Sequence, residues 1–304
     1  MSPNGPILVH LASGIGNIVL ATPLLQVLAQ NGYQMDLLVD GDYGGIGELF
    51  HHWGNIGQVL THPPDPAGYA VLVPAVPPFY WYRHARFYAG RRHALRRPPD
   101  RRFYTDEQGY YLDFAAALGC AVEPAPAPML PVSAADDDTA IGPRTLVLAP
   151  GCKSGIMAAK RWPHFPALAE RFPHVAVLGT AADLIGFDGR PMEFDAHVRS
   201  FIGQTSLRRT AQLLAAAGLV VANDSGLGHM AAAVGVPTLL LFGPTPHLSL
   251  GTMADNVTVL RAGLPCEPCW FTRQLAACGG AVDCLKQLSV DAVAGHVAEI
   301  LGPD

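Results

Sequence analysis

The stretch of sequence that decides the fold is LVVANDSGLGHMAAAVGVPTLLLF, residues 219–242. Its apolar opening, Leu219 to Ala222, predicts a short buried strand, and Asp224 to Gly226 predicts a tight turn. Leu227 to Val234 then predicts a helix, and Pro237 to Phe242 predicts a second buried strand. A strand, a helix and a second strand in this order form a βαβ unit, so the sequence predicts an α/β fold with parallel strands.

The turn within this unit is a candidate ligand site. It places Asp224, Ser225 and several free backbone N–H groups at a helix N-terminus, beyond the carboxyl end of a strand. Unpaired N–H groups and the helix dipole both favour negative charge, which predicts a phosphorylated ligand. Ser225 and His229 are four residues apart and therefore share the helix face directed at this position. The alternative is that Asp224 or Ser225 only caps the helix.

Both halves of the chain predict βα organisation. The predicted elements of the first half are strands at Ile7 to Leu11, Met35 to Val39 and Ala70 to Val73, a turn at Ala12 to Asn17, and helices at Ile18 to Ala29 and Asp106 to Leu118. Pro23 is expected to disturb the first of these helices locally. The predicted elements of the second half, besides residues 219–242, are strands at Thr145 to Ala149 and Val175 to Leu178, and helices at Phe165 to Arg171, Leu207 to Ala217 and Val290 to Leu301. Ser289 is expected to cap the last helix.

A connector separates the two halves. Residues 124–143, PAPAPMLPVSAADDDTAIGP, are rich in proline and carry three consecutive aspartates. This composition is typical of a surface connector. The predicted domains are therefore residues 1–138 and 139–304.

Composition agrees with two domains, and the sequence also predicts where in the cell the protein is located. The chain has 304 residues, of which 50% are hydrophobic and 15% are charged, so it can bury two cores. The net charge of −5 gives no general reason to expect nucleic acid as a partner. No apolar run reaches the roughly 18 residues that a membrane helix needs. Because Met1 to Pro6 lacks the basic start of a secretory signal, we expect a cytoplasmic location.

Three segments resemble one enzyme family. Residues 223–238, NDSGLGHMAAAVGVPT, and 241–245, LFGPT, resemble the signature of the ADP-heptose:lipopolysaccharide heptosyltransferase family, inverting glycosyltransferases of the GT-B fold. Residues 13–25, SGIGNIVLATPLL, resemble the first βα turn of that family, and PGCKSG at 150–155 with KRWP at 160–163 resembles a later segment. The resemblance implies two Rossmann-like domains that face each other across a cleft.

The resemblance also implies a donor site. The residues that would bind the nucleotide-sugar donor and its diphosphate are Gly14, Gly16, Lys160, Asp224, Ser225, Gly226 and His229. Glycines allow close approach of the backbone to a ligand, and a lysine supplies a point charge to the leaving diphosphate. Lys153 and Arg161 are alternatives for that charge, or are surface residues.

Position 17 departs from the family pattern. The family is thought to place its general base, an aspartate, where this chain has Asn17, and an amide has no basic pair at neutral pH. Three interpretations remain: Asn17 orients the acceptor hydroxyl while another carboxylate takes the proton, departure of the nucleotide drives the reaction with a late proton transfer, or catalysis has been lost. Asp40 and Asp42 follow the second predicted strand and are the nearest substitutes, unless they only form a turn.

The chemistry implied by the resemblance is transfer of heptose, or a related sugar, from an ADP-heptose-type donor to a hydroxyl, with inversion. Negative charge builds on the leaving diphosphate, so preset donors around it stabilise the transition state more than the ground state. Lys160, Ser225, the Gly226 N–H and His229 would do this without a divalent metal, and no cofactor is expected for catalysis.

An arginine-rich segment suggests an anionic acceptor. Eight of the twenty Lys and Arg residues lie in residues 83–102, interleaved with aromatic residues. Guanidinium groups bind phosphate and carboxylate bidentately, so Arg83, Arg86, Arg91 and Arg92 are candidates for binding a glycolipid such as lipopolysaccharide core, a protein acceptor or an anionic membrane surface. Two alternatives are single-stranded nucleic acid, which arginines with aromatics also bind, and a solvated loop without a ligand.

Four cysteines form a second candidate site. Cys266, Cys269, Cys278 and Cys284 have the spacing C-x2-C-x8-C-x5-C, and four thiolates can close a tetrahedral site for structural Zn or Fe. The segment resembles one that holds iron in a family member that glycosylates autotransporter proteins with heptose. The alternatives are free thiols and disulfides, of which a cytoplasmic location favours the thiols.

Three classes of function follow. The first is a glycosyltransferase, acting on lipopolysaccharide or on protein. The second is a sugar-nucleotide-binding protein without catalysis, which the loss of the aspartate at position 17 makes credible. The third is a nucleic-acid binder centred on the arginine-rich segment, and it is the least favoured of the three.

Overall fold

A computed structural model describes residues 5–39, 45–135, 141–153, 155–250, 254–269, 278 and 281–302. The chain divides into two compact units, residues 1–131 and 132–304, and each contains its own parallel sheet. The predicted α/β class is confirmed. The expected boundary after residue 138 lies outside the described residues and stays a prediction.

The sheet of the first unit has four parallel strands. They are β1 (Ile7–Leu11), β2 (Met35–Val39), β3 (Ile56–Leu60) and β4 (Val71–Val73). Their order is β3-β2-β1-β4, with β1 buried along its whole length. The edge strand β3 was not predicted, because its residues, IGQVL, are only partly buried and lack a clear apolar period.

The helices of the first unit are α1 (Ile15–Leu20), α2 (Thr22–Gln30), α3 (Trp81–Tyr88), α4 (Asp100–Thr105) and α5 (Glu107–Ala117). One predicted helix is thus two helices, which meet at Ala21, and Pro23 lies in the first turn of α2. The expected disturbance is confirmed, since proline fits a first turn but not a helix interior. Asp106 caps α5 by accepting a hydrogen bond from the Gly109 N–H at 2.9 Å.

The arginine-rich segment is folded onto the first sheet. It begins in α3, where Tyr88 is buried against Leu8, Leu38 and Leu72. Leu72 also accepts a hydrogen bond from the Leu95 N–H at 2.9 Å, which places this part of the chain beside β4. The segment is therefore not a solvated loop throughout, because aromatic residues between the arginines anchor it; that it binds a ligand stays a prediction.

The sheet of the second unit has six parallel strands. They are β5 (Leu146–Ala149), β6 (Val175–Val177), β7 (Arg199–Ser200), β8 (Leu219–Asn223), β9 (Thr238–Leu241) and β10 (Val257–Leu260). Their order is β10-β9-β8-β5-β6-β7. The central strands β5 and β8 are buried at every position, as expected for a sheet covered on both faces.

The helices of the second unit are α6 (Phe165–Ala169), α7 (Leu207–Ala216), α8 (Gly226–Ala233), α9 (His247–Leu250), α10 (Asp283–Gln287) and α11 (Val290–Leu301). Helix α8 connects β8 to β9, which are parallel neighbours, so the predicted βαβ unit is confirmed. Ser289 caps α11 as expected, accepting from the Ala292 N–H at 3.2 Å. Within the described residues, no helix is long and apolar enough to cross a membrane.

The strand order places ligand positions in both units. In the first sheet β1 lies between β2 and β4, and in the second β5 lies between β6 and β8. At such a point consecutive connections leave on opposite sides, and a crevice opens beyond the carboxyl ends of the strands. The loops that follow β1, β5 and β8 lie at such positions and are therefore candidate ligand sites.

Candidate functional site

The turn after β8 is built around a helix cap. Ser225 is the N-cap of α8, and its Oγ accepts a hydrogen bond from the Gly228 N–H at 3.4 Å. Ser225 therefore caps the helix, as the alternative interpretation predicted. The N–H groups of Gly226 and Leu227 precede the first intrahelical hydrogen bond, so they can serve a ligand as well.

Gly228 lets α8 approach the sheet. A Cβ at this position would lie 2.6 Å from Leu240 Cδ2 and 2.9 Å from the carbonyl oxygen of Asn223. The side chains and backbone of two buried strands cannot give way by that much. A larger residue would push the first turn of α8, and the N–H groups it carries, away from the end of β8.

Asp224 is the centre of a buried polar network. The side chain is 5% exposed, and its carboxylate forms an ion pair with Lys160, whose Nζ lies 3.0 Å from Oδ2. The Thr245 hydroxyl donates to the same oxygen at 2.8 Å. Nε2 of His229 lies 3.3 Å from Oδ1, which makes His229 the partner on the other side. The structure thus brings together three residues that the sequence proposed for the donor site, Lys160, Asp224 and His229.

The network keeps Asp224 ionised despite its burial. Burial is the largest single effect on the pKa of Asp224 and acts to raise it. The charge of Lys160, together with the hydrogen bond and charge of His229, outweighs burial and holds this pKa below its usual value. A buried negative charge therefore holds a lysine and a histidine beside the N-terminus of α8.

Asn223 connects this turn to the segment that carries Lys160. Its Oδ1 accepts from the Trp162 N–H at 2.9 Å, and its Nδ2 donates to the Pro150 carbonyl at 2.6 Å. Trp162 is fully buried, and its Nε1 donates to the Leu288 carbonyl at 2.8 Å. Sequence reasoning did not assign this role to Asn223, although the residue lies within the quoted motif, nor the role of Thr245.

Arg161 does not contribute its charge to the site. The residue is 4% exposed, and its guanidinium donates to the carbonyl oxygens of Ile185 and, at 2.9 Å, of Cys152. These bonds hold the loop after β5 against the segment around Ile185. The alternative that Arg161 binds phosphate is therefore not supported, whereas Lys153 is exposed at the end of the same loop.

The turn after β1 holds the other predicted residues. Gly14 is the N-cap of α1, Gly16 lies in its first turn, and Ser13 has a left-handed backbone with a φ of 86°. The Gly14 N–H donates to Asn17 Oδ1 at 3.2 Å. Asn17 Nδ2 donates to Oε1 of Glu107 at 2.7 Å. Sequence reasoning missed Glu107, because its separation of 90 residues from Asn17 gives no local signal. Asp40 and Asp42 lie outside the described residues.

The predicted acceptor arginines lie in and after α3. The guanidinium of Arg83 lies 4.9 Å from the Tyr80 ring centre, and that of Arg91 lies 5.6 Å from the Phe87 ring centre. Arg86 and Arg92 are exposed and form no ion pair with any described residue. A surface of cations and aromatic rings therefore accompanies the first sheet. No described residue supplies it with a neutralising carboxylate at Arg86 or Arg92.

The four cysteines of the predicted metal site line one pocket. Cys266, Cys269, Cys278 and Cys284 surround it together with Pro244 and Leu264, among others. Burial is the main cause that raises the pKa of the Cys284 thiol to about 12, and it also raises the pKa of Cys269. The donor set fits Zn or Fe in kind. Among the described residues, however, no three side chains of suitable type are arranged to hold a metal ion.

Comparison with known proteins identifies the family. The profile of glycosyltransferase family 9 (heptosyltransferase) matches residues 130–277. Residues 130–277, just under half of the chain, therefore carry the sequence pattern of glycosyltransferase family 9. Lipooligosaccharide heptosyltransferase 2 of Haemophilus influenzae is 36% identical over 132 residues, which cover 40% of this chain and 38% of that protein. Lipopolysaccharide heptosyltransferase 1 of Pseudomonas aeruginosa is 48% identical over 64 residues, which cover 21% of this chain and 18% of that protein.

The fold of the chain matches that of solved heptosyltransferases. The structure of Escherichia coli ADP-heptose lipopolysaccharide heptosyltransferase II superimposes with a TM-score of 0.72 at 20% identity, covering 97% of this chain and 98% of that one. The iron-containing dodecameric heptosyltransferase TibC of E. coli, in complex with ADP-D-β-D-heptose, gives 0.69 at 16% identity, covering 99% and 77%. The predicted GT-B class and the predicted family are thus confirmed.

Proposed function

We propose that this chain transfers heptose, or a closely related sugar, from an ADP-heptose-type donor to a hydroxyl of an anionic acceptor such as lipopolysaccharide core, with inversion. The observation that carries the proposal is the ion pair of Lys160 with Asp224 beside the N-terminus of α8. It supplies a cation, helix N–H groups and His229 at one place, which suits a diphosphate. The alignment with proteins named as heptosyltransferases supports the sugar.

Asp224 acts in this proposal through its neighbours. An ionised carboxylate repels a diphosphate, so we assign the direct donor contacts to Lys160, His229, Ser225 and Gly226. Asp224 holds Lys160 and His229 in place before the donor arrives. Because these groups are already oriented, charge that develops on the leaving diphosphate is stabilised without reorganisation, and no metal takes part in this step.

The decisive experiment removes the cation. Lys160→Ala should lower kcat for nucleotide release from ADP-heptose by about 100- to 1,000-fold, the usual cost of one such donor. Lys286→Ala removes an exposed lysine from the same unit and is the matched control, with turnover near that of the wild type. Near-normal turnover by Lys160→Ala would refute the assigned role, and absence of ADP binding by the wild type would refute the site.

The arginine-rich segment is our proposed acceptor surface. Arg83, Arg86, Arg91 and Arg92 would bind phosphate or carboxylate groups of a glycolipid, and they would also favour peripheral contact with an anionic leaflet from the cytoplasmic side. A double charge reversal, Arg86→Glu with Arg92→Glu, should raise KM for an anionic acceptor and leave KM for the donor unchanged. An equal effect on both substrates would contradict the proposal.

A protein acceptor is the second candidate. It is favoured by the pocket lined by four cysteines, because the segment that carries them resembles one that holds iron in a family member that glycosylates autotransporter proteins. We propose a structural Zn or Fe held by Cys266, Cys269, Cys278 and Cys284, with no step of the reaction passing through it. Protein purified without chelator should then contain about one metal ion per chain, Cys278→Ser should lose it, and Cys120→Ser should keep it. Metal-free wild-type protein would exclude the site.

Loss of catalysis is the third candidate, and Asn17 is the residue that suggests it. A binding protein without activity would take up ADP-heptose at the α8 turn and release no ADP with any acceptor. Nucleotide release measured with glycolipid and protein acceptors therefore separates this candidate from the two enzymes.

A further inference from the structure

A buried acidic residue contacts Asn17. Glu107, the first residue of α5, is 0% exposed. Its Oε1 accepts hydrogen bonds from Asn17 Nδ2 at 2.7 Å and from the Tyr111 hydroxyl at 3.2 Å. Two donors therefore converge on one oxygen of this side chain. The position of Glu107 at the positive end of the α5 dipole also favours a negative charge.

The two contacts of Asn17 fix the direction of its amide. Oδ1 accepts from the Gly14 N–H at 3.2 Å, while Nδ2 donates to Glu107. A carboxylate only accepts and a backbone N–H only donates, so turning the amide round would lose both bonds. Asn17 is half-buried, and it retains one carbonyl lone pair and one N–H hydrogen at the turn after β1.

We propose that Glu107 is a positioning residue that holds the Asn17 amide, so that its carbonyl oxygen orients the acceptor hydroxyl. This inference rests on the proposed glycosyl transfer. Glu107 itself is fully buried and does not touch the acceptor. The pair also explains an amide at position 17, because an aspartate there would place a second carboxylate at the 2.7 Å of the present bond. Two carboxylates at that distance cannot both be ionised.

Two further side chains of α5 and α4, those of Tyr111 and Arg102, have defined partners. Burial, and after it the charge of Glu107, raises the pKa of Tyr111 well above its usual value, so its hydroxyl stays a donor. Arg102 of α4, which packs against α5, pairs instead with Asp106 at 3.1 Å and with Asp113 at 3.5 Å.

The first test compares two carboxylates of α5. Glu107→Gln gives Asn17 only a neutral acceptor that can itself rotate, so kcat should fall on the order of 10- to 100-fold, as when a residue that orients a functional group is lost. KM for the donor should not change. Asp113→Asn removes a half-exposed carboxylate from the same helix and should leave kcat near the wild-type value. An unchanged kcat for Glu107→Gln would overturn the positioning role.

The second test exchanges the two groups. Asn17→Asp puts two carboxylates together, which raises the folded-state pKa of one of them above its unfolded value. Relative to the wild type, its melting temperature should therefore fall as the pH rises above about 4, since stability is lost as the raised group is forced to ionise. In the double variant Asn17→Asp with Glu107→Gln, one carboxylate and one amide face each other again. The pH dependence of melting should then return to that of the wild type.

The outcomes separate this inference from the proposed function. If Asn17→Asp and the double variant show the same pH dependence of melting, the pairing is refuted whether or not the chain transfers a sugar. If the pairing is found but Glu107→Gln keeps full kcat, Glu107 is only structural and the inference fails. If the wild type binds ADP and transfers no sugar to any acceptor, the proposed function fails and takes the acceptor role of Asn17 with it.

Discussion

Asp224 depends on three partners, and Thr245 is the one that cannot itself carry a positive charge. Thr245→Val keeps the shape of the buried side chain and removes the hydroxyl that donates to the carboxylate. A hydrogen bond to a charged group contributes about 1.5–3 kcal/mol, so the free energy of unfolding should fall by that amount in urea titrations. Thr258→Val, at an exposed position on β10, is the control with the same chemical change and should have no effect. Equal stabilities of the two variants would contradict the role of Thr245.

His10 should make stability depend on pH in a defined window. It is buried on β1 with Nδ1 at 2.8 Å from the Tyr88 hydroxyl, and burial, then the nearby His84, lowers its pKa from 6.5 to about 3. Between these pH values the unfolded chain binds a proton that the folded chain does not, so stability falls as the pH falls, by up to about 1.4 kcal/mol per unit. The ionised Asp224 affects stability only at lower pH. Its contribution to the free energy of unfolding is lost as the pH falls below 3.8, the pKa of the unfolded chain, towards the lower pKa of the folded protein. Urea titrations at pH 6 to 4 should show a smaller slope for His10→Gln than for the wild type, whereas the same change at the exposed His62 should keep the slope.

At the scale of elements, α8 and α11 each contain an interior glycine with opposite surroundings. A Cβ at Gly228 would meet Leu240 at 2.6 Å, whereas a Cβ at Gly295 of α11 would meet nothing within 4 Å. Gly228→Ala should therefore destabilise the chain by about 1–3 kcal/mol through overpacking. It should also weaken ADP binding, because the N-terminus of α8 moves. Gly295→Ala should stabilise the chain by roughly 0.4–1 kcal/mol and leave ADP binding unchanged. Calorimetric melting and ADP titration check both, and a stabilising Gly228→Ala would disprove the close approach.

The elements that the sequence predicted are those whose partners lie nearby in the chain. The strands β1 and β2 and the helix α11 have the predicted bounds, because apolar runs and caps are local signals. The edge strand β10 was not predicted, and neither was α3, whose arginines obscure the aromatic residues that pack on the sheet. The same limit applies to the site. Lys160 and His229 could be proposed from motifs, but the bond between Asn17 and Glu107 exists only once α1 and α5 are packed.

At the scale of the whole molecule, sequence and fold similarity are distributed differently. The family profile matches residues 130–277, which lie almost entirely in the second unit, while the likeness to E. coli heptosyltransferase II covers 97% of the chain. The proposed donor residues after β5 and β8 belong to the matched region. Asn17, Glu107 and the arginines of α3 belong to the first unit, outside it. We therefore expect donor chemistry shared with the family, and features particular to this chain on the acceptor side.

This division predicts two separate footprints in hydrogen exchange. ADP should protect the backbone around Lys160 to Trp162 and Asn223 to His229, because a bound ligand suppresses local opening where it makes contacts. It should leave residues 83–92 unchanged. An anionic glycolipid acceptor should slow exchange in residues 83–92 and around Gly14 to Asn17, and this protection should weaken in the Arg86→Glu and Arg92→Glu variant. Lys160→Ala should lose the ADP footprint and keep the acceptor footprint, since the two sets of residues lie in different units. Protection of residues 83–92 by ADP alone would show that the arginines bind the donor, and the assignment of the two substrates would then have to be reversed.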